Sequence, residues 1–281
     1  MNRIGLVSEG GGMRGIYGAG VLDLFLDECL DFEYCLAVSA GSGNMASFLA
    51  GQRKRNYNFY TVYSRDKRYM SASNLVRTGS FFGLEYIYGT LTNEIDPINY
   101  EKLLNTKSVF KVVATSAQTG KPVYFSNKDF KLNDCRVLMA SSAIPVACKP
   151  IIINGSTYFD GGITDPIPVR KAVEDGCDKV VVILSKPRGF VKKPERMSFL
   201  FGSFLKNYPE IVRALKHRHE IYKESLSYLF ELERQGNAIV IAPSRQLRVN
   251  TATRSTRVLN ELYELAIKDA KEALGNLRST I

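Results

Sequence analysis

Ser39 stands in the run Leu36-Ala37-Val38-Ser39-Ala40-Gly41, where an apolar stretch stops at a serine between small residues and a helix-like segment follows. A serine on so sharp a strand-to-helix turn is pushed clear of the chain with its hydroxyl exposed, the geometry of a nucleophile elbow. Serines before helices also serve as N-caps, so this run alone leaves both roles open. Acyl transfer by serine needs two further parts: a base for the hydroxyl proton and donors for the oxyanion of the tetrahedral intermediate. The run Ser8-Glu9-Gly10-Gly11-Gly12-Met13-Arg14-Gly15 offers closely approachable backbone amides, and Phe159-Asp160-Gly161-Gly162 offers a carboxylate.

The usual base in such chemistry is histidine. This chain has only His217 and His219, both in a basic, helical C-terminal segment and neither in a glycine-bounded loop after a strand. A Ser–His–Asp triad is therefore not expected. Asp160 follows the short strand Thr157-Tyr158-Phe159 and precedes two glycines, which permit a tight turn packed against another loop. An aspartate of ordinary pKa, about 4, is a feeble base at neutral pH. Burial against Phe159 and Ile163 would raise its proton affinity. Aspartates before Gly-Gly are common turn residues, and on its own run Asp160 reads as one. Asp165 and Asp96 read as turn or helix-start residues.

Gly10, Gly12 and Gly15 also satisfy the G-x-G-x-x-G dinucleotide fingerprint between a strand and a helix. That reading needs an acidic residue at the end of the second strand to hold a ribose. The strand ends instead in Val38-Ser39, with Asp31 and Glu33 lying before it, so hydrolysis is favoured over cofactor binding.

Taken together and in this order, the three runs resemble the patatin-like phospholipases, whose pattern is a Gly-rich oxyanion loop, a G-x-S-x-G serine and an aspartate in D-G-A or D-G-G. The likeness extends from Ile4 to about Ser185. It implies Ser39 as nucleophile, Asp160 as general base in direct contact with it, and oxyanion stabilisation by Gly10, Gly11, Gly12 and Arg14. The implied activity is hydrolysis of carboxylic esters of phospholipids or related acyl lipids, with no metal and no cofactor. An acyltransferase using the same dyad and a non-catalytic lipid- or membrane-binding protein are the alternatives. The sequence departs from the pattern at Ala37, which stands where the motif has its first glycine and adds a methyl group at a crowded position.

The elements needed to hold these runs are legible in the apolar patterning. Ile4–Ser8 and Tyr34–Val38 read as strands, with a helix through Val21, Leu22, Phe25 and Leu26 between them and another from about Gly41 to Ala50. Further strands are expected at Val109–Ser116, Val123–Ser126, Thr157–Phe159 and Lys179–Leu184, the last continuously apolar as in a strand covered on both faces. The fold class is α/β. The resemblance makes it a patatin-like three-layer sandwich with a mostly parallel central sheet, helices on both faces and a helical C-terminal part. Residues 1–185 are expected to form the catalytic core, and 186–281 a mostly helical extension packed on the same domain. If the first two strands are parallel neighbours, the glycine run and Ser39 emerge at one edge of the sheet. Tyr57–Leu91 is rich in aromatic residues and fits either core packing or an acyl groove. Phe199-Leu200-Phe201-Gly202-Ser203-Phe204-Leu205 is an apolar patch among basic residues, suited to a membrane interface, a lid or burial. Ile211, Leu215, Tyr222, Leu226 and Leu229 define one stripe of a helix that carries His219 but not His217, and Ala238–Ile241 reads as a strand.

With 281 residues and 45% hydrophobic composition the chain can bury a substantial core. Its N-terminus lacks the apolar run of a signal peptide, and no stretch approaches the ~18 apolar residues of a membrane span. Cys29, Cys35, Cys135, Cys148 and Cys177 are odd in number, scattered and without metal-ligand spacing, which fits a cytoplasmic location. The net charge of +10 favours peripheral contact with anionic membranes or a solvated basic face. No nucleic-acid-binding signature accompanies it, so the partner expected is an acyl-lipid substrate. The oligomeric state is not specified by the sequence.

Overall fold

The computed structural model describes residues 3–194 and 204–278. Its strands are β1 (Ile4–Ser8), β2 (Tyr34–Val38), β3 (Val109–Ser116), β4 (Pro122–Ser126), β5 (Ile151–Ile153), β6 (Ser156–Asp160), β7 (Lys179–Ile183) and β8 (Ala238–Ile241). They form one sheet in the order β5-β6-β3-β2-β1-β7-β8, with β4 on the second edge of β3. The run from β3 through β2, β1 and β7 to β8 is parallel, while β4, β5 and β6 pair antiparallel. The sheet is mostly parallel, as the apolar strands imply: β1 and β2 are buried at every residue because helices cover both faces.

Alternation along the strands builds two cores. Leu6, Cys35, Ala37, Val181 and Ile183 join one cluster, packed by α1 (Ile16–Asp27), α2 (Ala40–Leu49) and α9 (Thr256–Arg278). Val7, Leu36, Val38, Val180 and Val182 join the other, covered by α7 (Val169–Glu174) and α8 (Pro209–Arg234). Successive side chains point to opposite faces, so each parallel strand feeds both layers. On α8 the residues Ile211, Leu215, Tyr222 and Leu229 are buried and Leu226 half-buried, the stripe read from the sequence. The sheet extends beyond the expected catalytic core: β8 pairs with β7, and Tyr17 of α1 donates a buried hydrogen bond of 2.9 Å to Asp269 of α9. Between α2 and β3 lie α3 (Arg55–Thr61), α4 (Ala72–Thr78), a π-helical segment Glu85–Ile95 and α5 (Tyr100–Leu104); α6 (Arg136–Ser141) follows β4.

Of the apolar patch at 199–205, residues 199–203 lie outside the described residues; Phe204 is exposed and Leu205 buried. Among the described residues, no helix is long and apolar enough to cross a membrane, and no cluster of three or more His, Cys, Asp or Glu side chains could hold a metal ion.

Candidate active site

Strand β3 is the ruler of the site. Lys111 pairs with Leu36 of β2 and with Ser126 of β4, so those strands flank β3 on opposite edges. Thr115 pairs with Pro122 of β4 and Phe159 of β6, so β6 occupies the edge that β2 leaves after Val38. Val38 sits opposite Val113, and Asp160 opposite Ala114. The ends of β2 and β6 therefore meet along one edge, bringing together Ser39 and Asp160, which are 121 positions apart in the chain.

Ser39 has φ 55° and ψ −131°, and makes no side-chain cap to α2. A non-glycine residue in this region is strained by about 1–3 kcal/mol, and its surroundings must hold it there. The Ser39 amide donates to Ser141 Oγ at 2.8 Å, and Ser42 Oγ donates to the Ser39 carbonyl at 2.6 Å. A β-carbon on Gly41 would lie 2.6 Å from the Glu9 carbonyl oxygen, so glycine lets α2 begin against the β1 loop. Freed from capping, Ser39 Oγ donates to Asp160 Oδ2 at 2.6 Å.

Asp160 is buried at the end of β6. Its Oδ1 accepts from the Gly162 amide at 2.7 Å, its own amide donates to the Ala143 carbonyl at 2.9 Å, and Thr115 Oγ1 donates to its carbonyl at 2.9 Å. Burial pushes its carboxyl pKa above the ordinary value, opposed by the Ser39 hydrogen bond, the Arg218 charge and the Gly162 amide. Phe159 and Ile163 are fully buried beside it. A β-carbon on Gly161 would fall 2.3 Å from the Val113 carbonyl oxygen, which explains the glycine after the aspartate.

The glycine run follows β1, whose register with β2 places Ser8 opposite Ala37. Both loops leave the same edge of adjacent parallel strands, as expected. Gly10 lies so close that a β-carbon there would be 2.6 Å from Ser39 Cβ and 2.9 Å from the Val38 carbonyl oxygen. Gly12 has φ 56°, a conformation natural to glycine. Among the described residues the amides of Gly10 and Gly11 donate to no protein acceptor, leaving them open to an oxyanion. Arg14 is half-buried, shares a cavity with Ser39, and reaches Thr251 Oγ1 with Nη2 at 3.4 Å.

Two unlike cavities meet at Ser39. One is apolar, lined by Phe59, Tyr60, Phe82, Leu84, Ile87 and Tyr88 among others, so the aromatic segment contributes a pocket wall as well as core. The second holds Gly10–Gly12, Arg14 and Asp160 together with Lys186, Lys192, Arg218 and Tyr222. His217 and His219 line neither. Asp165 also lies outside both linings; it is half-buried, accepts from Tyr124 Oη at 2.7 Å, and has its pKa pushed up to about 6 by desolvation.

The family model Patatin-like phospholipase matches residues 6–173, which include every one of the three runs. The chain belongs to the patatin-like phospholipase family. A second model, Domain of unknown function (DUF6363), matches residues 208–281. The chain is similar to the uncharacterized protein YjjU of Escherichia coli (strain K12), 28% identical over 271 residues, covering 94% of this chain and 74% of that protein. It is also similar to Lysophospholipase NTE1 of Meyerozyma guilliermondii, 25% identical over 196 residues; the match covers 64% of this chain but 12% of that much longer protein. Among solved structures, VipD from Legionella pneumophila shares the fold, with a TM-score of 0.51 at 14% identity, covering 98% of this chain and 67% of that one.

The patatin-like pattern is departed from at Ala37, and the structure accommodates the extra methyl within the core cluster of α1 and α2. Three groups at the site escape reading by motif: Ser141, which anchors the elbow amide, Ala143, which anchors Asp160, and Arg218, which donates from Nε to the Gly162 carbonyl at 2.6 Å. The run of small residues Ala140-Ser141-Ser142-Ala143 before Ile144-Pro145 was the available signal for the first two. Arg218 carries no local signal, since it is one cation among many on a basic helix.

Proposed function

We propose that this protein is a serine lipid acyl hydrolase that cleaves carboxylic esters of acyl lipids through Ser39 and Asp160. The observation that carries the reading is the 2.6 Å hydrogen bond from Ser39 Oγ to a buried Asp160 carboxylate, at the junction of an apolar and a cationic cavity. Ser39 Oγ attacks the ester carbonyl while Asp160 takes its proton. The oxyanion is held by amides of the Gly10–Gly12 loop, with the charge of Arg14 nearby. Collapse of the intermediate expels the alcohol, which receives the proton from Asp160. Asp160 then deprotonates water, which attacks the acyl-enzyme; collapse of that intermediate breaks the bond to Ser39 Oγ, which takes the proton back from Asp160 as the fatty acid leaves. The apolar cavity accepts the acyl chain. The basic surface, including Arg213, Lys216 and Lys223 on α8, favours approach to an anionic bilayer.

The test is release of free fatty acid from a lysophospholipid by the purified chain, with and without an added alcohol. Fatty acid as the main product in both conditions supports hydrolysis. An acyl ester of the alcohol as the main product overturns it in favour of acyl transfer.

The base must be ionised to act, so kcat is expected to fall as pH drops through the raised Asp160 pKa. The acid limb of the pH–rate profile should therefore sit above the ordinary carboxylate value of about 4. A limb at or below that value would exclude a buried Asp160 as the base.

Gly10→Ala tests the packing of the oxyanion loop. The added methyl would meet Ser39 Cβ and the Val38 carbonyl, both attached to rigid backbone, and one of the loops must move. A displacement near 1 Å at reacting atoms costs about 10²-fold in rate. The expected outcome is that loss in kcat/KM with an unchanged circular dichroism spectrum.

A further inference from the structure

The second cavity lies at the switch point of the sheet. From β1 the chain proceeds one way to β2 and β3, while β7 lies on the other side of β1. Ligands of open α/β sheets settle in the crevice at the carboxyl ends of strands flanking such a point. Here Glu9 and Gly10 follow β1, and Ser185 and Lys186 follow β7. The Glu9 carboxylate accepts from the Ser185 amide at 2.7 Å and from Ser185 Oγ at 3.0 Å, and pairs with Lys186 Nζ.

The wall opposite comes from the C-terminal region, 208–281, which the model Domain of unknown function (DUF6363) matches. Arg218 and Tyr222 reach in from α8, and Thr251 from the loop before α9. These residues also grip the loops around Ser39. Arg218 donates to Gly162 O, and the Thr251 carbonyl accepts from the Met13 amide at 3.2 Å. Among the described residues the cavity lining carries four cations, Arg14, Lys186, Lys192 and Arg218, and two carboxylates, Glu9 and Asp160. Burial lowers the Lys186 pKa, the paired Glu9 opposes that shift, and Arg14 and Arg218 add to it. The Arg14 pKa is lowered by burial, with Glu9 and Tyr222 opposing and Arg218 adding to the shift, and its Nε has no hydrogen-bond partner among the described residues. A cleft lined in this way, with the Arg14 Nε turned to no protein acceptor among the described residues, attracts an anion.

We propose that the C-terminal region is a specificity element of this site, in which Arg218, with Arg14 and Lys186, binds the phosphate group of the substrate headgroup. Arginine forks match phosphate oxygens in paired hydrogen bonds, and lysine adds a point charge. With the acyl chain in the aromatic cavity and the phosphate in the cationic one, the ester between them falls at Ser39. The proposal rests on the esterase reading for its substrate orientation, but its binding site can be measured without turnover.

The experiment has a binding arm and a kinetic arm, both on the full chain. Calorimetric titration of the Ser39→Ala protein with sn-glycerol 3-phosphate, inorganic phosphate and glycerol should show binding of the phosphate-bearing ligands and none of glycerol. Adding Arg218→Gln should weaken that binding about tenfold or more, the loss expected for a charge-assisted hydrogen bond. Glutamine can still donate to Gly162 O, so the loop contact is retained; Arg14→Gln serves as a second variant with the same expected direction. Tighter binding of glycerol 3-phosphate than of inorganic phosphate identifies the headgroup as the source, and equal binding identifies free phosphate; both support the pocket. In the kinetic arm, kcat/KM for a lysophosphatidate should exceed that for a monoacylglycerol of the same chain at least tenfold, and the ratio should shrink in Arg218→Gln. Equal binding of glycerol and glycerol 3-phosphate, or a ratio indifferent to both substitutions, overturns the proposal. Equal cleavage of both lipids would remove the phosphate pocket and leave the esterase reading standing. Phosphate binding with no cleavage of either lipid would do the reverse.

Discussion

Ser39→Ala is expected to lower kcat/KM for an acyl ester by roughly 10⁶-fold, the scale seen when a serine nucleophile is removed from a preorganised site. The fold should be unaffected. Ser39 is held at φ 55° by Ser141 Oγ on its amide and Ser42 Oγ on its carbonyl, and alanine keeps both contacts. What it loses is the hydroxyl that donates to Asp160. Ser39→Gly separates strain from chemistry. A β-carbon in the left-handed region costs about 1–2 kcal/mol, and glycine's larger unfolded-state entropy takes back about 0.4–1 kcal/mol. Ser39→Gly should therefore be as inactive as Ser39→Ala and melt at no lower temperature. Thermal melts and initial rates of the two variants decide both points. Residual activity within tenfold of the unmodified protein would remove Ser39 from the mechanism.

Asp160→Asn is expected to reduce kcat by about 10³- to 10⁴-fold, the upper range for loss of a general base. Asparagine can preserve the geometry: its Oδ1 accepts from the Gly162 amide and its Nδ2 donates to Ser39 Oγ. The sign of the stability change follows from the raised pKa. The folded state holds the Asp160 proton more tightly than the unfolded chain, so this group's stabilisation is full below the unfolded value near 4 and is lost as pH rises through the folded pKa. At neutral pH and above, the buried carboxylate is held against the fold. Asp160→Asn should therefore melt at or above the temperature of the unmodified protein at pH 8, and lose that advantage toward pH 4. A variant that is inactive and markedly less stable at pH 8 would mark Asp160 as a structural residue.

Most of the sheet was legible because parallel strands buried on both faces leave continuous apolar runs. Ile4–Ser8, Tyr34–Val38, Val109–Ser116 and Ala238–Ile241 coincide with strands end to end. Strand β5 was missed: its three residues, Ile151–Ile153, include an exposed Ile152 at the sheet margin, and so short a run carries no period. The π-helical segment Glu85–Ile95 was equally hidden, since its aromatic and apolar residues are placed by the pocket they line more than by a helical repeat. At the site, Ser39, Asp160 and Gly10–Gly12 stood out because each needs a rare local arrangement: an elbow, a turn backed by glycines, or close backbone approach. Ser141, Ala143 and Arg218 act through ordinary hydrogen bonds made by ordinary residue types, and only the fold brings them to the loops they hold.

The claim that an Asp160-paired Ser39 is an activated nucleophile is tested most directly by reaction with a fluorophosphonate ester, read by intact mass and peptide mapping. The account predicts one adduct per chain, on Ser39, with none on Ser39→Ala and a strongly slowed reaction on Asp160→Asn. An adduct on another residue, or a folded protein that stays unmodified under conditions that label a control serine esterase, would contradict it.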